Sequence, residues 1–368
     1  MIPVLMLAGL LSFGQVFGVN SKEHNDSPAT GKEKAAFDPG TFIIGHVSNS
    51  HEWHIMTVGK THISIPLPVI LYTKEKGLVC FLSSRFHHGE AAFKGFRIAE
   101  EGDNKGRIVQ VKADGTIDEE ARLPIDLSIT KTVFAMILSV ILILLIFIPV
   151  ARKYKRQENT APSGFQNLIE PVILFVRDDI AIPSIGAKGY EKHMPYLLTI
   201  FFFILFNNIL GIIPIPPGGA NVTGNIAVTG ILALITFGIT LFISNKHYWT
   251  DIFNTPGVPW WLKLPVPLMP FIELFGMIMK PVVLAIRLFA NILAGHFIGL
   301  SFIVLIFVFG QMHWLAGYGT SVVWVMFDVI MTFLELLVAF LQAYVFTMLS
   351  AIYFGMARTE QPETHTNT

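Results

Sequence analysis

From residue 133 onward the chain consists of apolar blocks separated by short polar or proline-rich breaks. Residues 133–150 are an apolar run of about 18 positions, enough for a helix to cross a bilayer's hydrocarbon core. The run ends at a dense cationic stop, Ala151-Arg152-Lys153-Tyr154-Lys155-Arg156. Residues 165–176 read as an amphipathic piece suited to the membrane surface. Second and third spans are predicted over 196–214 and 226–243, joined through the Pro/Gly-rich hairpin Pro214-Ile215-Pro216-Pro217-Gly218-Gly219. The loop Pro259-Trp260-Trp261-Leu262-Lys263 has the composition of a membrane interface. A fourth apolar element covers 267–309 and a fifth 321–355. The pattern predicts an all-α polytopic membrane protein with five membrane helices.

The last two elements are too long for a simple crossing. At 1.5 Å per residue they span roughly 65 and 52 Å, against a hydrocarbon core of about 30 Å. An ordinary tilt of about 20° does not absorb that excess. Pro281 and the pair Gly295/Gly299 could kink the fourth element, but the fifth contains no proline. The favoured reading is a hairpin of two steeply tilted helices.

Both long elements carry a polar seam. Glu273, Lys280 and Arg287 are seven residues apart, so each lies about 20° round the helix from the last. Asn291, Ala290 and Ala294 join the Arg287 side, and small residues let another backbone come close. His296 lies about 180° round from Arg287. The fifth element repeats the spacing with Asp328, Glu335 and Gln342. A charge at the bilayer centre costs about 2.5–3.5 kcal/mol on insertion scales, so buried titratable residues read as an ion pathway. Interhelical hydrogen bonding is the bland alternative, but these carboxylate, amine, guanidinium and imidazole groups exceed what cohesion needs.

The first part of the chain is different. Residues 1–18 are apolar, lack Lys or Arg, and precede a polar run, which resembles a signal peptide. The predicted organisation is a signal peptide over 1–19, a region over 20–124, a membrane domain over 125–357 and a tail over 358–368. Within 38–124, β-branched runs at 62–72, 77–82 and 107–111 and a turn at Ala113-Asp114-Gly115 predict a small β-rich region. His46, His51, His54, His62, His87 and His88 fall there, some at spacings a metal could use, but without nearby Cys or a helical HExxH they read as ordinary surface and core histidines.

Composition agrees with the pattern. The chain is 52% hydrophobic and 14% charged, with a mean hydropathy of +0.58. Its formal net charge is zero, which gives no reason to expect a nucleic-acid partner. Cys80 is the only cysteine, which excludes an intramolecular disulfide and a Cys-rich metal site. Loops after the first and third spans hold Arg152, Lys153, Lys155, Arg156, Lys246 and Lys263, whereas 214–225 and 310–320 hold no Lys or Arg. The positive-inside rule therefore predicts an N-terminus outside and a C-terminus in the cytoplasm. Moving the long N-terminal region outward requires an export signal, which favours a cleaved leader.

The stretches PVVLAIRLFANILAGH at 281–296 and LQAYVFTMLSAIYFGMA at 341–357 resemble subunit a of F-type ATP synthases. The likeness is most specific around Arg287-Leu288-Phe289-x-Asn291 and Leu341-Gln342-Ala343, and extends to Asn208-x-x-Gly211-x-x-Pro214 and Asn221-Val222-Thr223. It covers roughly 126–357; the region 20–124 has no counterpart in it. The resemblance implies a proton-translocating stator subunit in a bacterial inner membrane, with no cofactor and no catalytic residues of its own. Its implied partners are the c-subunit ring, the b-subunit peripheral stalk, the rest of the complex, the bilayer and protons.

By that resemblance Arg287 is the essential cation facing the c-ring carboxylate, with Asn291 and Gln342 as polar neighbours and Asn208 nearby. Glu273 and Lys280 belong to the cytoplasmic half-channel, and His296, Glu335 and Asp328 to the outer one. Some relatives carry an acid at the His296 position and a histidine at the Glu335 position, so this chain exchanges the two types. Gly211 stands where some members have an acid and is given no relay role. With Gln342 taken as level with Arg287, Glu335 lies about 10 Å and His296 about 13 Å outward, and Lys280 and Glu273 about 10 and 21 Å inward.

Arginine suits the centre because guanidinium stays protonated, whereas a buried lysine can lose its proton. A fixed cation lowers the pKa of an approaching carboxylate and repels leaking protons. Histidine beside an acid suits a relay. Two other readings compete. A secondary transporter would show internal repeats, which are not evident; a membrane-embedded hydrolase using Asp328 or Glu335 lacks a nucleophile–base pattern.

Overall fold

The computed structural model describes residues 40, 49–58, 61–89, 91–99, 104, 106–112, 116–118, 121–156, 164–213, 219–253, 268–312 and 314–358. The leader-like segment, His46, the turn at 113–115, the prolines of the 214–219 hairpin and the 259–263 loop lie outside them.

The N-terminal part is β-rich. Strands β1 (Glu52–Val58) and β2 (Thr61–Pro66) pair antiparallel, with an irregular register between His54 and Met56. Strands β3 (Pro68–Thr73) and β4 (Gly77–Leu82) form a hairpin around Lys74-Glu75-Lys76, closed by Gly77 at φ 65°. Strands β5 (Phe96–Ile98) and β6 (Ile108–Gln110) form a second pair. Strand β7 (Ile125–Asp126) adds to the free side of β3, giving the order β4-β3-β7. One face of this sheet closes over a core of Val69, Leu71, Phe86, Phe96 and Ile108. The run expected over 62–72 is divided: Leu67 is buried between Pro66 and Pro68, and two residues without N–H groups interrupt the ladder there.

Helix α1 (Lys131–Arg156) follows β7 after four residues. Its first N–H groups need partners outside the helix. Lys131 N donates to Ser50 O (3.0 Å) and Thr132 N to Asn49 Oδ1 (3.2 Å), so the start of the β region caps the helix. Helix α2 (Phe165–Phe175) passes through a π-helical turn, Val176–Ala181, into the short α3 (Ile182–Ile185). This amphipathic segment is not exposed along its whole length. Instead Val176, Ile180 and Ala181 are fully buried in the main core, while Phe165 and Leu168 stay exposed. The apolar stripe is long enough to enter the bundle.

Helices α4 (Met194–Ile212) and α5 (Ile226–Ile243) are the second and third spans, and α6 (Lys246–Phe253) is a short helix after them. Asn225 caps α5, its side chain accepting from Ala227 N at 3.0 Å. Helices α7 (Leu268–Met312) and α8 (Trp314–Arg358) are each 45 residues long and are the fourth and fifth spans. Roughly 67 Å of helix at 1.5 Å per residue is over twice the hydrocarbon thickness. α7 is continuous through Pro281 and through Gly295 and Gly299, so those residues are not breaks. The main core gathers Leu197, Phe201 and Ile204 of α4, Leu284 and Leu288 of α7, and Phe346 and Phe354 of α8.

Candidate functional site

The site is the seam between α7 and α8, with α4 behind it. On α7 the buried stripe runs Leu284, Leu288, Ile292, four residues apart, and continues to the part-buried His296. The opposite stripe, Val283, Arg287, Asn291 and Ala294, is exposed. Sequence geometry alone left His296 facing away from Arg287. The structure turns that into a result: His296 faces inward, toward both α8 and α4.

His296 Nδ1 lies 3.0 Å from Glu335 Oε1, with side chains only 17% and 13% exposed. The contact falls outside hydrogen-bond geometry, and Glu335 Oε1 is buried without a hydrogen-bond partner among the described residues. Such an oxygen is costly unless it takes up a proton or a water. The other imidazole nitrogen, Nε2, points at Gly211 of α4, where an added Cβ would lie 3.5 Å away. Gly211 leaves room beside the ring that a side chain would occupy.

Glycines of α7 lie against the acids of α8. A Cβ at Gly295 would lie 3.0 Å from Glu335 Oε1 and 3.3 Å from its Cγ, and one at Gly299 would lie 3.8 Å from Asp328 Oδ1. Each carboxylate of α8 thus meets a glycine of α7. Asn291 Nδ2 donates to Gln342 Oε1 at 2.9 Å. Gln342 thereby joins the seam at Asn291, one turn from Arg287 on the His296 side.

Arg287 is exposed, and its guanidinium makes no hydrogen bond or ion pair among the described residues. Its exposed neighbours on α7 are the apolar Val283 and Ile286 and, one turn on, the polar Asn291.

On the other side of Arg287, Lys280 lines a pocket with Thr236, Thr240, Tyr248 and Tyr353, and its ammonium stands 5.7 Å from the Tyr353 ring centroid. Glu273 is half-buried further along α7. The hydroxyls of this pocket went unremarked in the sequence, although threonines at 236 and 240 in an apolar span were its signal. Asn208 is committed at both ends of its amide: Nδ2 donates to Ala339 O (3.3 Å), and Oδ1 accepts from Thr223 Oγ1 (2.5 Å). It ties α4 to α8 and to the loop before α5.

In the β region, His51 Nε2 lies 2.8 Å from Asp126 Oδ2. Burial alone would raise the Asp126 carboxyl, but hydrogen bonds from His51 and Ser128 outweigh it and hold it at about 2.

A family described as ATP synthase A chain matches residues 133–355, and a domain of unknown function, DUF8433, matches 42–127. The chain is 44% identical over 243 residues to "ATP synthase subunit a" of Chlorobium phaeobacteroides (strain BS1), covering 64% of this chain and 68% of that one. It is 41% identical over 239 residues to "ATP synthase subunit a" of Chloroherpeton thalassium, covering 63% and 67%. It is 42% identical over 241 residues to "ATP synthase subunit a 2" of Prosthecochloris aestuarii, covering 64% and 70%.

Proposed function

This chain belongs to the ATP synthase A chain family, and on that premise we propose which of its residues carry the proton and what they face. It is a non-catalytic, proton-translocating stator subunit in the membrane sector of ATP synthase. Arg287 is the cation that meets the c-ring carboxylate. One path reaches it past Asp328, Glu335 and His296; the other leaves past Lys280 and Glu273. Asn291 and Gln342 are polar neighbours of the arginine, and Asn208 positions α4 against the outer path.

The observation that carries this reading is Arg287 itself. An unpaired guanidinium on an apolar membrane surface is costly, and the cost is removed when a neighbouring chain presents an anion there. The small residues Ala290 and Ala294 beside it allow a partner helix close approach. Guanidinium keeps its proton, so the ring acid is the group that must give one up. In this reading the b-subunit is a further partner. The cationic loops support a β region outside and a C-terminus in the cytoplasm of a bacterial inner membrane, and in this reading residues 1–19 are a leader.

A photo-crosslinking residue at Val283, on the Arg287 stripe, tests the facing surface in assembled complex. Capture of the small ring subunit is the predicted result. Capture of lipid alone, with none of the ring, contradicts it.

A further inference from the structure

The sheet β4-β3-β7 has a second face, and it is apolar and, among the described residues, largely exposed. In its first row Tyr72 stands between Leu78 and Ile125. In the next, Ile70 stands between Cys80 and Leu127, the latter pair fixed by Leu127 N donating to Ile70 O at 2.9 Å. A third row joins Leu82 to Pro68, and Ile129 N donates to Pro68 O at 3.0 Å. No position in these rows is charged. Leu78, Ile125 and Leu127 are 63%, 58% and 59% exposed. The alternation that buries Val69 and Leu71 on one side therefore presents an equally greasy surface on the other. A half-solvated antiparallel sheet normally turns polar side chains outward.

We propose that this face lies on the bilayer, seated in the leaflet on the side where α1 begins. Position supports lipid as the occupant. Ile129 is two residues before α1, whose own exposed flank carries Phe134, Ile137, Ile141 and Leu145. The exposed apolar flank of α1 thus starts a few residues after the sheet face ends. Size supports it too. Three strands about 4.8 Å apart and three rows about 7 Å apart cover about 300 Å², well below the ~800 Å² per partner of a stable protein–protein interface. A second copy or a separate protein would gain too little from it. Lipid needs no such area, because α1 already holds the sheet at the membrane. Tyr72 adds an amphipathic ring of the kind enriched at headgroup level. The β region then acts as a membrane-surface platform that steadies the outer end of α1 and the loop before α5, against which Trp53 packs through Ala135, Ala220 and Val222. This inference is independent of the transport pathway.

The chain's sole cysteine provides the probe. Cys80 is exposed and lies within the middle row. A nitroxide on Cys80 in the whole complex, reconstituted in lipid nanodiscs, reports relative access to oxygen and to a water-soluble nickel chelate. Labels at Lys74→Cys in the exposed turn and at Leu145→Cys on α1, each in a Cys80→Ser background, set the aqueous and lipid limits. The predicted oxygen-to-nickel ratio at Cys80 is raised above that at Lys74→Cys, toward the Leu145→Cys value. A ratio equal to that of Lys74→Cys would place the face in water and overturn the proposal. Protection from both agents would mean that protein covers it, which overturns the proposal equally.

Discussion

His296 of α7 and Glu335 of α8 meet at 3.0 Å in a part-buried seam, and Gly211 of α4 stands behind the imidazole. The acid has no hydrogen-bond partner for its buried oxygen among the described residues, and we propose that the pair carries a proton. Glu335→Gln and His296→Ala are each predicted to slow coupled proton transport on the order of tenfold or more, the cost of about 1.4 kcal/mol in a barrier. The double exchange His296→Glu with Glu335→His keeps one group of each type at the same junction and should slow transport less than either half-exchange. ATP-driven acidification of inverted vesicles at matched abundance checks this. A double exchange as damaged as the worse single change would contradict direct pairing.

The glycines beneath the acids give a contrast. At Gly295 an added Cβ would crowd Glu335 at 3.0–3.4 Å, whereas at Gly299 the nearest atom is 3.8 Å away. Gly295→Ala is therefore predicted to displace Glu335 and cost roughly 1–3 kcal/mol of packing, with a matching fall in proton pumping. Gly299→Ala should be close to neutral. Pumping rates alongside the abundance of inserted protein distinguish the two, and equal tolerance would mean that α7 and α8 do not seat as described.

A third prediction concerns the β region. Asp126 is held at about 2, below its ordinary 3.8, so its bonds stabilise the fold above about pH 4 and that stability is lost as pH falls through about 2. The side chain is 34% exposed, which limits the effect to the order of 1 kcal/mol after solvent screening. Asp126→Asn should speed amide exchange around 125–128 at about pH 6 and make little difference near pH 2. Exchange that is unchanged at the higher pH would contradict the assignment.

Much of this was legible in the chain. Helix α5 occupies the predicted 226–243, because its hydrophobic run is bounded by Asn225 and by Ser244-Asn245. The heptad-spaced seams on α7 and α8 identified the polar groups because a charge inside an apolar run is too costly to be incidental. What sequence spacing could not supply was the relation between helices. Whether His296 reaches Glu335 depends on the crossing of α7 and α8, where Gly295 lies against Glu335 and Gly299 faces Asp328. Those glycines looked like kinks, since a missing side chain reads the same whether it frees the backbone or admits a neighbour. Strand β1 went unpredicted, and its pairing with β2 carries an irregular register at His54. The exposed sheet face was invisible for a related reason: alternation in 68–73 and 77–82 is apolar at both parities, so sequence does not say which side is covered.

The central claim is that Arg287 is the exposed cation across which protons are handed between two paths. The most direct measurement is ATP-driven acidification of inverted membrane vesicles, comparing the parent chain with Arg287→Ala at equal abundance of assembled complex. The account predicts that acidification is lost while ATP hydrolysis continues, because the ring acid no longer meets a permanent cation. Acidification at the parental rate would contradict it, and would leave the polar seam of α7 and α8 as interhelical cohesion alone.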